Sequence, residues 1–171
     1  MATSGVFYFL YFRIMKKEDW MLSQFYEHIS ENKKGLFEKI AQDRTRYITI
    51  ALENLFQPHN AAAVLRSCDC FGIQNLHIIE NEFEFVTNKD IDMGSRKWLH
   101  INRYSEKENN TADCIRHLKA QGYRIVGTTP HTDQSIYDLD LSEKTALLFG
   151  TELTGLTGEA LEMCDDQVVI P

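Results

Sequence analysis

Short apolar runs rich in β-branched residues alternate along the chain with segments whose apolar positions recur at helical spacing. From Tyr47 onward this alternation predicts six strands, at 47–52, 76–80, 99–104, 123–129, 145–150 and 167–170. It predicts helices at 61–71, 111–121 and 157–164, with Gly72 and Gly122 closing the first two and Thr157 capping the third. Residues 81–98 read as a loop with a short helix after Asn88. This order is typical of an α/β fold around a mainly parallel sheet.

Polar and glycine-containing loops follow three of the predicted strands. They are QPHN at 57–60, GTTPHTD at 127–133 and FGTELTGL at 149–156. Sheets of this class bind ligands at the carboxyl ends of their strands. We therefore expect the chemistry of the protein in these three loops.

The N-terminal part of the chain has a different pattern. Residues 18–41 have helical periodicity among charges, and Gly35 is the expected break between two helices. Before them, the apolar run 6–12 is too short to span a membrane, and no cleavage site for a signal peptide follows it. We expect Met15 to be the natural start, 1–14 to be an upstream or non-native extension, and 15–45 to be a helical region ahead of a domain at 46–171.

Composition narrows the class of protein without identifying it. The 171 residues carry 18 Lys and Arg against 25 Asp and Glu, for a net charge of −7. A general nucleic-acid binder needs clustered cations, so this balance counts against one, although residues 1–60 carry 8 basic and 7 acidic side chains. The four cysteines have neither disulfide nor zinc spacing. We expect reduced thiols, no metal, no membrane segment and a cytoplasmic location.

The first constellation that carries candidate chemistry surrounds Asn60. This residue is placed to cap the helix after the first strand, and Arg66 points away from the helix's predicted apolar stripe, on the face of His59. A guanidinium beside a strand end and a helix N-terminus is a suitable anchor for phosphate. A capped surface helix with a solvated arginine explains the same residues. The predicted stripe consists of Val64, Leu65, Cys68 and Phe71.

The second constellation is the loop after the fifth strand. Gly150 and Gly155 permit close backbone approach or positive φ, and Glu152 is placed to accept a hydrogen bond from a ribose hydroxyl. An ordinary strand-to-helix connection is the alternative. Neither loop contains GxGxxG, so the sequence gives little support to a nicotinamide enzyme.

Together, the two constellations resemble the SpoU (TrmH-type) branch of the SPOUT RNA methyltransferases. The stretch QPHNAAAVLRSCDCFGI at 57–73 is similar to the family's first motif, and ALLFGTELTGLTGEALEMCDDQVVIP at 146–171 is similar to its second. GSRKWLHI at 94–101 resembles the subgroup that methylates guanosine 18 of tRNA. The resemblance covers about residues 35–171.

The resemblance implies 2′-O-methylation of a tRNA ribose by S-adenosylmethionine, a knotted α/β sheet of the SPOUT (α/β-knot) type, and a homodimer. It implies catalytic roles for Arg66, for Asn60, which helps to hold Arg66, and for Glu152. Whether Arg66 acts as a base or positions phosphate and stabilises the forming alkoxide stays open, but the second role needs no deprotonated guanidinium. The implied cofactor-binding residues are Thr128, Gly150 and Ile170, and the implied RNA-binding residues are His59, Arg96 and Lys97.

The sequence departs from the family at its end. The third family motif, which threads the knot and completes the cofactor pocket, follows the Ile-Pro pair, and this sequence ends at Pro171. We therefore expect the knot-forming segment to be missing and S-adenosylmethionine to bind poorly to these 171 residues. The alternatives are a ribose 2′-O-methyltransferase of ribosomal RNA and a truncated, inactive fragment.

Overall fold

The computed structural model describes residues 17–85 and 93–171. The chain divides into two compact units, Met1–Asp43 and Arg44–Pro171, and each is described by itself. The extension expected at 1–14 lies outside the described residues, and so does most of the region where a short helix is predicted after Asn88.

Within residues 17–43, the part of the N-terminal unit that the structure describes, there are two helices, α1 (Lys17–Glu27) and α2 (Glu31–Gln42). The expected break at Gly35 is wrong, because the helices are separated at residues 28–30 and Gly35 lies inside α2. Ser30 starts α2 as its N-cap, and its hydroxyl accepts a hydrogen bond from the Lys33 N–H. A capping serine favours a helix start, whereas one glycine inside a helix costs only about 1 kcal/mol.

Six strands of the described residues form one sheet in the C-terminal unit, and every neighbouring pair is parallel. Across the sheet the strand order is β3-β2-β1-β5-β4-β6. This arrangement confirms the predicted α/β class. The strands are β1 (Ile48–Glu53), β2 (Asn75–Ile79), β3 (His100–Tyr104), β4 (Arg124–Thr128), β5 (Thr145–Phe149) and β6 (Asp166–Val168).

In the described part of this unit, three α-helices and two 3₁₀ turns lie between the strands. The helices are α3 (Pro58–Cys70), α4 (Asn110–Ala120) and α5 (Gly158–Met163), and the 3₁₀ turns span Ser95–Trp98 and Ile136–Asp138. Apolar side chains on the two faces of the sheet form separate core clusters. One cluster includes Leu65 of α3, and the other includes Ile115 of α4 and Ala160 of α5. Burying a side chain such as Leu65 stabilises the fold by about 2 kcal/mol.

Helix α3 differs from its prediction at both ends. It begins at Pro58 with Gln57 in the N-cap position, so the prediction of Asn60 as N-cap is wrong. Proline has its φ preset for the first helical position and has no N–H to satisfy there, which favours the earlier start. Phe71 is 80% exposed and does not belong to the apolar stripe, because the helix ends at Cys70. The backbone then turns through Gly72, whose φ is +72°.

The strand order places the three predicted loops on neighbouring strands. Strands β1, β5 and β4 are adjacent in the sheet, so the loops that follow them leave the same edge. The chain reaches β2 and β3 on one side of β1 and β4 and β5 on the other, so the order reverses between β1 and β5. Open α/β sheets bind ligands at such a reversal.

Candidate active site

A cavity of about 470 Å³ opens at the carboxyl edge of the sheet. Its walls come from the ends of β4 and β5, from the turn after β5 and from residues that follow β6. Four of the residues predicted from the sequence line it together, although they are far apart in the chain. They are Thr128, Gly150, Glu152 and Ile170.

The turn at residues 150–156 forms one wall of this cavity, and we call it the motif-2 turn. The N–H groups of Thr151 and Gly155 each donate to the other residue's carbonyl oxygen, both at 3.0 Å. The Thr151 hydroxyl oxygen also accepts from the Thr154 N–H at 3.1 Å. Gly155 has a φ of +71°, a conformation that side chains disfavour. These contacts fold the turn back over its own first residue.

Gly150 is the residue beneath that fold. A Cβ atom built there lies 2.1 Å from the carbonyl carbon and oxygen of Gly155 and 2.3 Å from the Leu156 nitrogen. These are backbone atoms, which have no rotamer by which to move aside. Any residue other than glycine therefore conflicts with the turn as it is folded.

The remaining predicted residues of the cavity present different groups to it. The Thr128 hydroxyl donates to the Leu148 carbonyl oxygen at 2.9 Å, so its proton is already committed within the sheet. Glu152 is exposed at the tip of the motif-2 turn, and Ile170 is half-exposed beyond β6. The cavity wall thus combines backbone groups, one carboxylate and apolar surface.

The residues predicted around the first motif lie on α3, the helix that follows β1. Asn60 and Arg66 are half-buried, and His59 is exposed. None of the three is among the residues that line the cavity, although β1 is the neighbour of β5 in the sheet. The Asn60 N–H donates to the Gln57 carbonyl oxygen at 3.1 Å, inside the first helical turn.

Arg96 and Lys97 lie at the opposite edge of the sheet from the cavity. Both are exposed in the 3₁₀ turn Ser95–Trp98, which directly precedes β3. Because all the strands are parallel, the start of β3 lies at the amino edge, whereas the cavity lies at the carboxyl edge. Within one chain, these two cations are therefore remote from the cavity.

A buried carboxylate that was not predicted from the sequence, Glu53, lies at the end of β1. Its side chain accepts hydrogen bonds from the Thr111 hydroxyl at 2.5 Å, from the Thr157 N–H at 2.8 Å and from the Thr157 hydroxyl at 2.9 Å. The residue is 1% exposed. The sequence did contain a signal for it, because an acidic residue directly follows an otherwise apolar strand. A carboxylate buried at that position needs hydrogen-bond donors from elsewhere in the fold.

A second buried carboxylate, Glu80, follows the neighbouring strand β2. It accepts from the Arg103 Nε and Nη2 atoms at 2.8 and 2.7 Å, and from the Phe85 N–H at 2.6 Å. Burial by itself raises the pKa of Glu80, but the hydrogen bonds from Arg103 and Phe85 outweigh it and the pKa is lowered. These side-chain partners, Arg103 of β3 and Phe85 after β2, lie outside the motif-2 turn.

Among 17–85 and 93–171, no group of three or more His, Cys, Asp or Glu side chains is arranged to hold a metal ion. Over the same ranges, no helix has the length and apolar character needed to cross a membrane.

Comparisons with known proteins agree on one family. The family model described as "SpoU rRNA Methylase family" matches residues 47–171. The chain is 38% identical over 152 residues to a tRNA (guanosine(18)-2'-O)-methyltransferase of Borreliella burgdorferi. That alignment covers 88% of this chain and 66% of the relative. The chain is 29% identical over 143 residues to the Thermus thermophilus protein of the same name, over 83% of this chain and 72% of that one. The chain thus spans about two thirds of these relatives.

Solved structures give the same result. The structure of the Aquifex aeolicus TrmH/SpoU tRNA modifying enzyme superposes with a TM-score of 0.71 at 26% identity, over 82% of this chain and 71% of that one. The SpoU methyltransferase AviRb from Streptomyces viridochromogenes, in complex with AdoMet, superposes with a TM-score of 0.59 at 26% identity. That alignment covers 75% of this chain and 49% of the AviRb chain.

Proposed function

The chain belongs to the SpoU methylase family, and from that premise we propose that it methylates the 2′ hydroxyl of a tRNA ribose, at guanosine 18, with S-adenosylmethionine as the methyl donor. The observation that carries the proposal is the cavity at the carboxyl edge, which gathers four of the predicted residues within the matched region. Curated relatives named for guanosine 18 of tRNA favour this substrate over ribosomal RNA.

The cavity fits a nucleoside-sized cofactor. Its volume of about 470 Å³ lies in the usual range of about 300–1,000 Å³ for small-molecule sites. At Gly150 the backbone of the motif-2 turn occupies the space that a side chain would need, so this part of the wall is built of main chain. In our proposal, backbone groups of Thr128, Gly150 and Ile170 hold the cofactor, whose sulfonium supplies the methyl group.

Arg66 is the residue that we propose to act on the RNA. Methylation would join the ribose oxygen to the methyl carbon. The bond from that carbon to sulfur would break with its electron pair left on sulfur, and the hydroxyl proton would pass to water. A guanidinium binds phosphate in a planar fork and stabilises negative charge that develops on the oxygen. Asn60 is proposed to help hold Arg66, and Glu152 to act from the turn beside the cofactor.

The RNA is proposed to contact His59, Arg96 and Lys97. Because the latter two lie at the amino edge, the part of the tRNA that they meet within one chain is remote from the reacting ribose. A second copy of the chain is the other proposed partner, and the cytoplasm is the proposed location. Measurement of the molar mass in solution, by sedimentation equilibrium or light scattering, tests the dimer directly.

Transfer of a radioactive methyl group to defined transcripts tests the activity. The proposed activity predicts incorporation into a tRNA transcript with guanosine 18 and none into the same transcript with a 2′-deoxyguanosine there. Because these 171 residues are expected to bind S-adenosylmethionine poorly, the assay uses a high concentration of the methyl donor. A ribosomal RNA transcript tests the alternative substrate. Transfer only to ribosomal RNA contradicts the tRNA assignment, and transfer to neither RNA contradicts the activity of this chain.

Variants of Arg66 test its role in the same assay. We expect Arg66→Ala to lower the rate at saturating substrates by at least about 100-fold, the loss typical for removal of one group that stabilises a transition state. Arg66→Lys is the matched control, because it keeps a charge but lacks the planar fork. If Arg66→Ala keeps a rate within threefold of the unmodified chain, Arg66 is not the catalytic residue.

A further inference from the structure

Glu53 connects three parts of the carboxyl edge. It ends the central strand β1, accepts from Thr111 in the first turn of α4, and accepts twice from Thr157, the N-cap of α5. Thr157 directly follows the motif-2 turn, which forms a wall of the cavity. Glu53, which does not line the cavity, is therefore connected to the cavity wall through Thr157.

The hydrogen-bond partners leave little freedom in this arrangement. The Thr157 hydroxyl oxygen accepts from the Ala160 N–H at 3.2 Å, so its single proton is available for Glu53. In the same way, the Thr111 hydroxyl oxygen accepts from the Asn81 side-chain amide at 2.8 Å and donates to Glu53. The Thr157 N–H is a donor only. Three donors therefore converge on one side chain, and a carboxylate accepts at both oxygens.

We propose that Glu53 is a positioning residue, which acts through Thr157 to hold the motif-2 turn in the shape that binds the cofactor. The turn is fixed at one end by the close approach of Gly150 to Gly155, and Glu53 fixes the other end. The identity of the ligand rests on the proposed function, but the effect on the turn does not.

The variant Glu53→Gln removes the charge and one acceptor oxygen while it keeps the shape of the side chain. Glu53→Gln has nearly the same volume, but its amide nitrogen faces a donor whichever way it is oriented. Glu80→Gln is the matched control, since it alters a buried carboxylate of the next strand that bonds Arg103 and Phe85 instead. Thr157→Val removes the hydroxyl while Thr157→Ser retains it, and Thr157 is exposed, so this pair keeps the test available if Glu53→Gln does not fold.

Two measurements on the full 171-residue chain test the proposal. The first is amide hydrogen exchange of residues 151–155 without ligand. We expect exchange about 10-fold faster or more in Glu53→Gln and Thr157→Val, and unchanged exchange in Glu80→Gln and Thr157→Ser, because a hydrogen bond to a charged group contributes about that factor. The second is the dissociation constant for S-adenosylmethionine by calorimetry, which we expect to be high in the unmodified chain and about 10-fold higher in the same two variants.

The outcomes separate the proposal from the proposed function. If the unmodified chain does not bind S-adenosylmethionine, the proposed function fails, while hydrogen exchange still decides whether Glu53 holds the turn. Equal exchange in Glu53→Gln and the unmodified chain overturns the proposal, and so does an equal loss of protection in Glu80→Gln. Faster exchange with an unchanged dissociation constant overturns the link to the cofactor. If Glu53 had a purely structural role, Glu53→Gln and Glu80→Gln would both lower the free energy of unfolding, and hydrogen exchange of residues 151–155 would not differ between them.

Discussion

Replacing Gly150 by alanine is the most direct test of how the cavity wall is built. The added Cβ lies 2.1 Å from the backbone of Gly155, which is about 1.4 Å inside an ordinary contact distance of about 3.5 Å. The turn must open to relieve this overlap. Opening it breaks the two hydrogen bonds between Thr151 and Gly155.

The expected loss of stability follows from these contacts. Two hydrogen bonds contribute about 2 kcal/mol together, and residual overpacking adds about 1 kcal/mol. For a chain of this size, a loss of about 3 kcal/mol lowers the Tm by about 6–12 °C. We therefore expect Gly150→Ala to have lower midpoints of urea and thermal unfolding, as measured by circular dichroism. We also expect this variant to lose its binding of S-adenosylmethionine.

Gly155→Ala is the control in the same turn. Gly155 has open space around its Cβ position but a φ of +71°, so alanine there costs only about 1 kcal/mol of backbone strain. Gly150→Ala must therefore be clearly the less stable of the two variants. A Gly150→Ala protein as stable as the unmodified chain, or more stable than Gly155→Ala, refutes the packing argument.

Two further predictions concern buried titratable groups. Burial and the nearby charge of His117 lower the pKa of His77 from 6.5 to about 4, so the unfolded state takes up the proton first as pH falls. As the pH falls from 6.5 to 4, the free energy of unfolding should decrease by up to about 3 kcal/mol. If urea titrations show the same dependence of this free energy on pH in His77→Asn, the prediction is contradicted. A thiol reagent at pH 8 should modify exposed Cys70 in the native chain. Burial raises the pKa of the other thiols to about 11 or 12, so they should react only after unfolding, as mass spectrometry of the labelled peptides would show; they are Cys68, Cys114 and Cys164.

Local sequence pattern was sufficient for the elements of the fold. A run such as ITIAL is apolar on both faces and β-branched, which suits a strand covered on both sides, and β1 is buried from Thr49 onward. Thr157 was recognisable as an N-cap because that role depends on residues three apart in the chain, and its hydroxyl does accept from the Ala160 N–H. Helix starts were less certain where two signals competed, as at Pro58 and Asn60.

The site was predictable only in part. The alternation of strands and helices determined by itself that the loops after β1, β4 and β5 leave one edge, because parallel strands all end on the same side. Which side chains meet there was decided by the tertiary structure. Glu53 and Thr157 are 104 positions apart, and their contact depends on β1 being placed beside β5. Strand order is set by the packing of helices on both faces of the sheet, and that packing leaves no local pattern in the sequence.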